Sequence, residues 1–176
     1  NVIKRWVLQE VGTDENGRTN ECLVVYDYLK LMSSTSITNN IQEYQALGFQ
    51  ITNLHNLAVK YDFACLSFVQ LNRDGITKES TDAVSGSDRL IWLCTSFSIF
   101  KEKSAEEAAE DGPRAGNRKL VPIVSRHGPG MQDGNYINLQ MSGQHALLTE
   151  LRTRDELVAT GGADAIEGAE LPFEED

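Results

Sequence analysis

The stretch Cys22-Leu23-Val24-Val25-Tyr26-Asp27 constrains this chain more than any other. Leu23, Val24, Val25 and Tyr26 are consecutive residues with strand-forming side chains, and they run straight into a carboxylate at Asp27. A continuous apolar run of this kind predicts a strand buried on both faces, as in a parallel sheet. Ligands of such sheets bind beyond the carboxyl ends of the strands, so Asp27 stands where a nucleotide and its Mg²⁺ belong. The same pattern also ends many strands that bind nothing, so its weight depends on the residues downstream.

Downstream lie a helix and a second strand. Over Asn39 to Tyr61, the residues Ile41, Tyr44, Leu47, Ile51, Leu54, Leu57 and Ala58 recur at threes and fours. That spacing predicts an amphipathic helix, with Thr38 or Asn39 as its N-cap. His55 lies beside the stripe and reads as a packing residue, because no second metal-type side chain accompanies it. Phe63 to Val69 then reads as a strand that ends in Gln70-Leu71-Asn72-Arg73. Strand, helix and strand make a βαβ unit, and its crossover sets the two strands parallel. Asp27 and Gln70 are therefore expected at the same edge of the sheet.

Around this unit the sequence is less regular. Val2 to Val11 suits a short amphipathic helix, and Gly12 to Asn20 a polar surface loop. Asp74 to Ser87 is loop-like, and Arg89 to Thr95 reads as a strand that continues or bends back near Phe97 to Phe100. Residues Lys101 to Arg118 have no apolar stripe and read as a solvated insertion. Lys119 to Ser125 is a strand in which Pro122 marks an edge or a bulge. It leads into the turn Arg126-His127-Gly128-Pro129-Gly130, and Tyr136 to Met141 closes the sheet. Residues 144–176 read as an acidic, disordered tail.

Composition narrows the function classes. Of 176 residues, 40% are hydrophobic and 24% charged, which is ordinary for a soluble globular protein. No run approaches the roughly 20 apolar residues of a membrane span, and no leader pattern opens the chain, so a cytoplasmic protein without a membrane role is expected. Cys22, Cys65 and Cys94 have neither zinc nor disulfide spacing and read as reduced core residues. A net charge of −10 argues on its face against a nucleic-acid binder. Much of that acid, however, lies in Glu102 to Asp111 and Asp155 to Asp176, which says little about a central groove. No G-x-x-x-x-G-K-[ST] loop occurs, so the chain cannot by itself cradle a triphosphate in the P-loop manner.

Four motifs in order carry a resemblance: Val25-Tyr26-Asp27-Tyr28-Leu29-Lys30-Leu31-Met32, Ser67-Phe68-Val69-Gln70-Leu71-Asn72-Arg73, Ser85-Gly86-Ser87 and Ser125-Arg126-His127-Gly128-Pro129. In this order the chain resembles the C-terminal part of the RecA-like motor domain of DnaB-type replicative hexameric helicases, and in its lengthened hairpin a divergent, phage-encoded member. The resemblance implies an α/β fold with a mostly parallel sheet flanked by helices and antiparallel C-terminal hairpins, incomplete for want of the phosphate-loop half. It implies a motor part over 1–143 and the tail over 144–176.

The resemblance also implies roles. Asp27 looks like the Walker B aspartate that serves Mg²⁺, Gln70 like the glutamine that senses the γ-phosphate, and Arg126 like the arginine finger that acts on a neighbour's nucleotide. Lys78, Ser85, Gly86 and Ser87 resemble the loop that tracks single-stranded DNA. The implied activity is an ATP-driven (or other NTP-driven) helicase working as a homo-hexamer, in the host cytoplasm if phage-encoded, with this segment inactive alone. The tail, with Phe173 among acids, suits docking on a primase or a DNA polymerase. Three departures stand out: Val124 replaces the family's lysine before the finger, Ala83 and Val84 replace charged pore-loop residues, and the phosphate loop and catalytic glutamate are absent. Two other readings stay open: another RecA-like ATPase of recombinase or clock type, and a non-catalytic binding or assembly protein.

Overall fold

The computed structural model describes residues 2–29, 43–71, 79–80 and 88–160. They fall into two compact units, Asn1–Thr95 and Ser96–Asp176. Among the described residues, no helix is long and apolar enough to cross a membrane.

The first unit is the βαβ arrangement that its sequence predicts. Helix α1 (Val2–Trp6) runs into a π-helical turn (Val7–Val11), succeeded by β1 (Leu23–Tyr26), α2 (Glu43–Tyr61), β2 (Ala64–Ser67) and α3 (Asp88–Leu93). The strands pair in parallel, with Leu23 opposite Ala64, Val24 opposite Cys65, Val25 opposite Leu66 and Tyr26 opposite Ser67. Side chains alternate across a sheet, so Val24 points to one face and Leu23 and Val25 to the other. On the first face Val24 packs in a core with Val7, Tyr61 and Phe63, edged by Ile3, Cys22, Leu57 and Ala58.

The other face corrects an expectation. Leu23 is 55% exposed, Val25 56% and Leu66 47%, so β1 is buried on one face only. Apolar composition reports what a strand can bury, and whether a layer covers it is a tertiary matter. Cys65 is likewise exposed instead of being a core residue, and none of the three cysteines forms a disulfide. A second correction concerns residues 89–95. They form α3 and the turn after it, and the strand starts at Ser96. A short apolar run such as Leu90-Ile91-Trp92-Leu93 cannot be assigned to helix or strand by pattern alone.

The second unit is an antiparallel meander of β3 (Ser96–Glu102), β4 (Arg118–Ser125), β5 (Ile137–Ser142) and β6 (Leu147–Thr153), in that spatial order. Register slips where Phe97 faces Val124 and Ser98 faces Pro122, which leaves Ile123 as the extra residue of a bulge. Pro122 thus marks a bulge, since β4 itself lies between two neighbours. β5 does not close the sheet, because β6 pairs beyond it from Leu147 to Thr153. Helix α5 (Arg154–Ala159) comes next, capped by Thr153 and Glu156. Residues 144–160 are therefore ordered, contrary to the expected tail, and only 161–176 of that segment lie outside the described residues. The alternation in Leu147-Leu148-Thr149-Glu150-Leu151 is weak, and pairing with β5 supplies what pattern alone does not show.

The insertion between β3 and β4 is also built rather than solvated. It contains α4 (Ala105–Asp111), opened by a capping box in which the Ser104 hydroxyl accepts from the Glu107 N–H and the Glu107 carboxylate accepts from the Ser104 N–H. Buried Asp111 fastens this helix to the sheet. Its Oδ2 accepts from Lys103 Nζ at 2.7 Å and from the Tyr136 hydroxyl at 2.8 Å. Lys103 Nζ also donates to the Ala115 carbonyl at 2.8 Å. Lys119, fully buried, pairs with Glu107, and Arg154 reaches Glu110 and Asp111. Lys103, Lys119 and Arg154 place their cationic groups 5.7, 4.8 and 5.5 Å from the Tyr136 ring centroid. Buried cations persist only when paired in this way, so the acids of Glu102 to Asp111 are structural as well as solvating.

Candidate nucleotide-site edge

The residues that end β1 and β2 remain joined after the strands stop. Phe68 donates its N–H to the Tyr26 carbonyl at 3.3 Å, and Leu29 donates its N–H to the Phe68 carbonyl at 2.8 Å. The segment Asp27-Tyr28 and Phe68 are thereby held at one end of the parallel pair, and Gln70 lies two residues further on. That end is the carboxyl end, where α/β sheets present ligand-binding groups. Leu29 is buried and anchors the turn, while Asp27 and Gln70 are exposed. The Asp27–Tyr28 peptide bond is cis.

The chain that leaves this edge carries an acceptor-only carboxylate at Asp27 and, two residues beyond Phe68, a neutral amide at Gln70 that both donates and accepts. Among the described residues no group of three or more His, Cys, Asp or Glu side chains is placed to hold a metal ion. Asp27 alone still fits Mg²⁺, which commonly takes one or two carboxylates and completes its shell with phosphate oxygens and water. His55 is half-buried on α2.

Arg126 lies in the second unit, exposed immediately after the last residue of β4. The turn that presents it is held by the Ser125 hydroxyl, which donates to the Gly128 carbonyl at 3.4 Å. Lys78, Ser85, Gly86 and Ser87 lie outside the described residues, as do Ala83 and Val84. The ionic cluster around Asp111 and Tyr136 has no counterpart in the sequence reading. The capping box Ser104-x-x-Glu107 is the signal that points to α4, but nothing in linear order points from Asp111 to Tyr136.

No family model matches the chain, and no curated protein matches it. Among solved structures, its fold is similar to that of a DnaB-like replicative helicase, a structure described together with the helicase's interactions with primase. The TM-score is 0.60 and the identity 15%, over 75% of this chain and 30% of that one. The chain therefore spans less than a third of the helicase it resembles, and what the two share is an α/β fold of the RecA-like type.

Proposed function

We propose that this chain is part of an ATP-driven DNA helicase motor that works as a hexameric ring on single-stranded DNA. The observation that carries the reading is the joined carboxyl edge of β1 and β2, with Asp27 directly after β1 and Gln70 three residues after β2. In this reading Asp27 supplies the protein's carboxylate to Mg²⁺, whose remaining positions go to nucleotide phosphates and water. Gln70 hydrogen-bonds the terminal phosphate through its amide, and its orientation reports whether that phosphate is present. Arg126 reaches the nucleotide of a neighbouring subunit and offsets charge developing on the transferred phosphoryl group, an effect worth roughly 10³- to 10⁵-fold in related NTPases.

The cradle for the other phosphates has to come from a glycine-rich loop that this sequence does not contain. The similar helicase is more than three times as long as the part this chain matches, so the fold has room for that half. Lys78 and Ser85 to Ser87 are assigned to the DNA backbone, the acidic segment 144–176 that carries Phe173 to a replication partner such as a primase or polymerase, and the motor to the cytoplasm.

The test is DNA-stimulated ATPase and forked-duplex unwinding by the assembled motor, with Arg126→Ala subunits mixed into wild type. A trans-acting finger makes small mutant fractions depress activity by more than their share. Strictly proportional loss removes that role. Deleting the residues after Glu170 is expected to weaken primase or polymerase binding while sparing ATPase, and unchanged binding removes the docking role.

A further inference from the structure

On the surface of the first unit, Phe49, Asn53, Asn56 and Lys60 form one exposed stripe along α2, spaced by four, three and four residues. At the Phe49 end α3 packs alongside. The Arg89 guanidinium lies 5.5 Å from the centroid of the Phe49 ring. Trp92, one helical turn on from Arg89, is 69% exposed, and Phe49 is 53% exposed. Leu90 faces the interior of the unit, which turns Arg89 and Trp92 outward together.

We propose that this surface is a track for single-stranded nucleic acid, with bases stacked on Trp92 and Phe49, phosphates paired with Arg89 and Lys60, and Asn53 and Asn56 between them. The composition fits that ligand better than a protein groove. Exposed aromatic faces bind any base, while a guanidinium and an ammonium hold the backbone without reading sequence. Asn side chains donate to phosphate oxygens as readily as they accept from base edges. Between Tyr44 and Tyr61 the helix carries no Asp or Glu, in a chain whose net charge is −10. Asp62, just beyond, is paired with Arg18 at 3.6 Å, and Asp88 opens α3. From Phe49 to Lys60 the stripe runs about 16 Å along the helix axis, room for a few nucleotides.

The inference rests on the helicase reading for its choice of DNA over RNA, but its test does not require ATP hydrolysis. Fluorescein-labelled oligo(dT) and oligo(U) are titrated with the full chain at low and moderate salt, read by anisotropy. Trp6→Phe leaves Trp92 as the single tryptophan, and its emission is expected to be quenched on binding. Trp92→Ala and Phe49→Ala should each weaken binding roughly 5- to 150-fold, the range for one lost base stack, while Trp92→Phe retains most of it. Lys60→Glu should weaken binding and lower the salt slope by about one phosphate contact. Wild-type affinity in Trp92→Ala and Lys60→Glu, or no oligonucleotide binding by the wild-type chain, overturns the track. So does loss of binding that accompanies a change in sedimentation, which assigns the patch to contact between copies of the chain. Patch-dependent binding without ATPase in the assembled motor sinks the helicase reading and keeps the track. DNA-stimulated ATPase indifferent to Trp92→Ala does the reverse.

Discussion

Phe68 donates its backbone N–H to the carbonyl of Tyr26 at 3.3 Å, so the ladder between β1 and β2 outlasts the strands, with Asp27 inside the joined segment and Gln70 two residues beyond it. Because both side chains are exposed, neither supports the fold. Asp27→Asn and Gln70→Ala should leave stability within about 0.5 kcal/mol of wild type. In the assembled motor, ATPase should fall by roughly 10²-fold or more, the scale of losing a positioned electrostatic contact. Thermal melts and steady-state ATPase check this together, and full activity in both variants would remove the proposed roles.

Asp111 is the hub of the second unit. Its removal strips the Lys103 ammonium, 1% exposed, of its carboxylate partner while the Ala115 carbonyl stays in place, and it strips the Tyr136 hydroxyl of its acceptor. Asp111→Ala should cost about 3 to 5 kcal/mol, as breaking a buried pair does. Asp111→Leu combined with Lys103→Met should cost less than Asp111→Ala, because no buried charge is stranded. Urea unfolding of the three proteins decides the point.

Acid should loosen α4 before it unfolds the strands. Burial raises the Glu107 pKa, but the hydrogen bonds from Lys119 and the Ser104 N–H outweigh it, so the carboxyl titrates below its ordinary value of 4.5. A depressed folded-state pKa contributes stability that is present above the unfolded value and lost as pH falls through the folded one. Protection of the amides of residues 104–111, measured against their intrinsic exchange rates at each pH, should therefore fall below about pH 4.5, and Glu107→Gln should abolish that acid limb. An identical acid limb in the variant would contradict it. At the alkaline end, burial and the Asp111 carboxylate push the Tyr136 phenol up. Its contribution is therefore fully present below the ordinary phenol value and lost as pH rises from there through the raised folded one.

Gly116 and Gly17 both adopt φ of +76°, but a Cβ on Gly116 would stand 2.3 Å from the Leu139 carbonyl oxygen, while one on Gly17 meets nothing within 4 Å. Gly17→Ala should cost about 1 to 2 kcal/mol of backbone strain alone. Gly116→Ala should cost clearly more, since the β4–β5 approach must open. Paired denaturant melts measure the difference, and equal losses would mean the approach is not tight.

Several parts of this fold are legible residue by residue. Leu23 to Tyr26 reads as a strand because its β-branched valines and its tyrosine favour a pleated surface, and the Ile51-Leu54-Leu57-Ala58 spacing marks α2. Asp27 and Gln70 both come after the carboxyl ends of their strands because the helical crossover sets β1 and β2 parallel. Residues 89–95 mislead because a short apolar run lacks a period long enough to tell helix from strand. Residues 147–153 mislead because β6 depends on β5 for its hydrogen bonds, a partner that local pattern does not name.

By itself the sequence determined the parallel βαβ unit and the order that puts Asp27 and Gln70 after the carboxyl ends of its two strands, since each comes from local sterics and chain connectivity. Only the tertiary structure decided which strand face is covered, that the acidic insertion is held by Asp111 beneath a ring of cations, and that Phe49, Arg89 and Trp92 share one surface. Those features join residues far apart in the chain, and burial and charge pairing across such distances are properties of packing, not of order along the backbone.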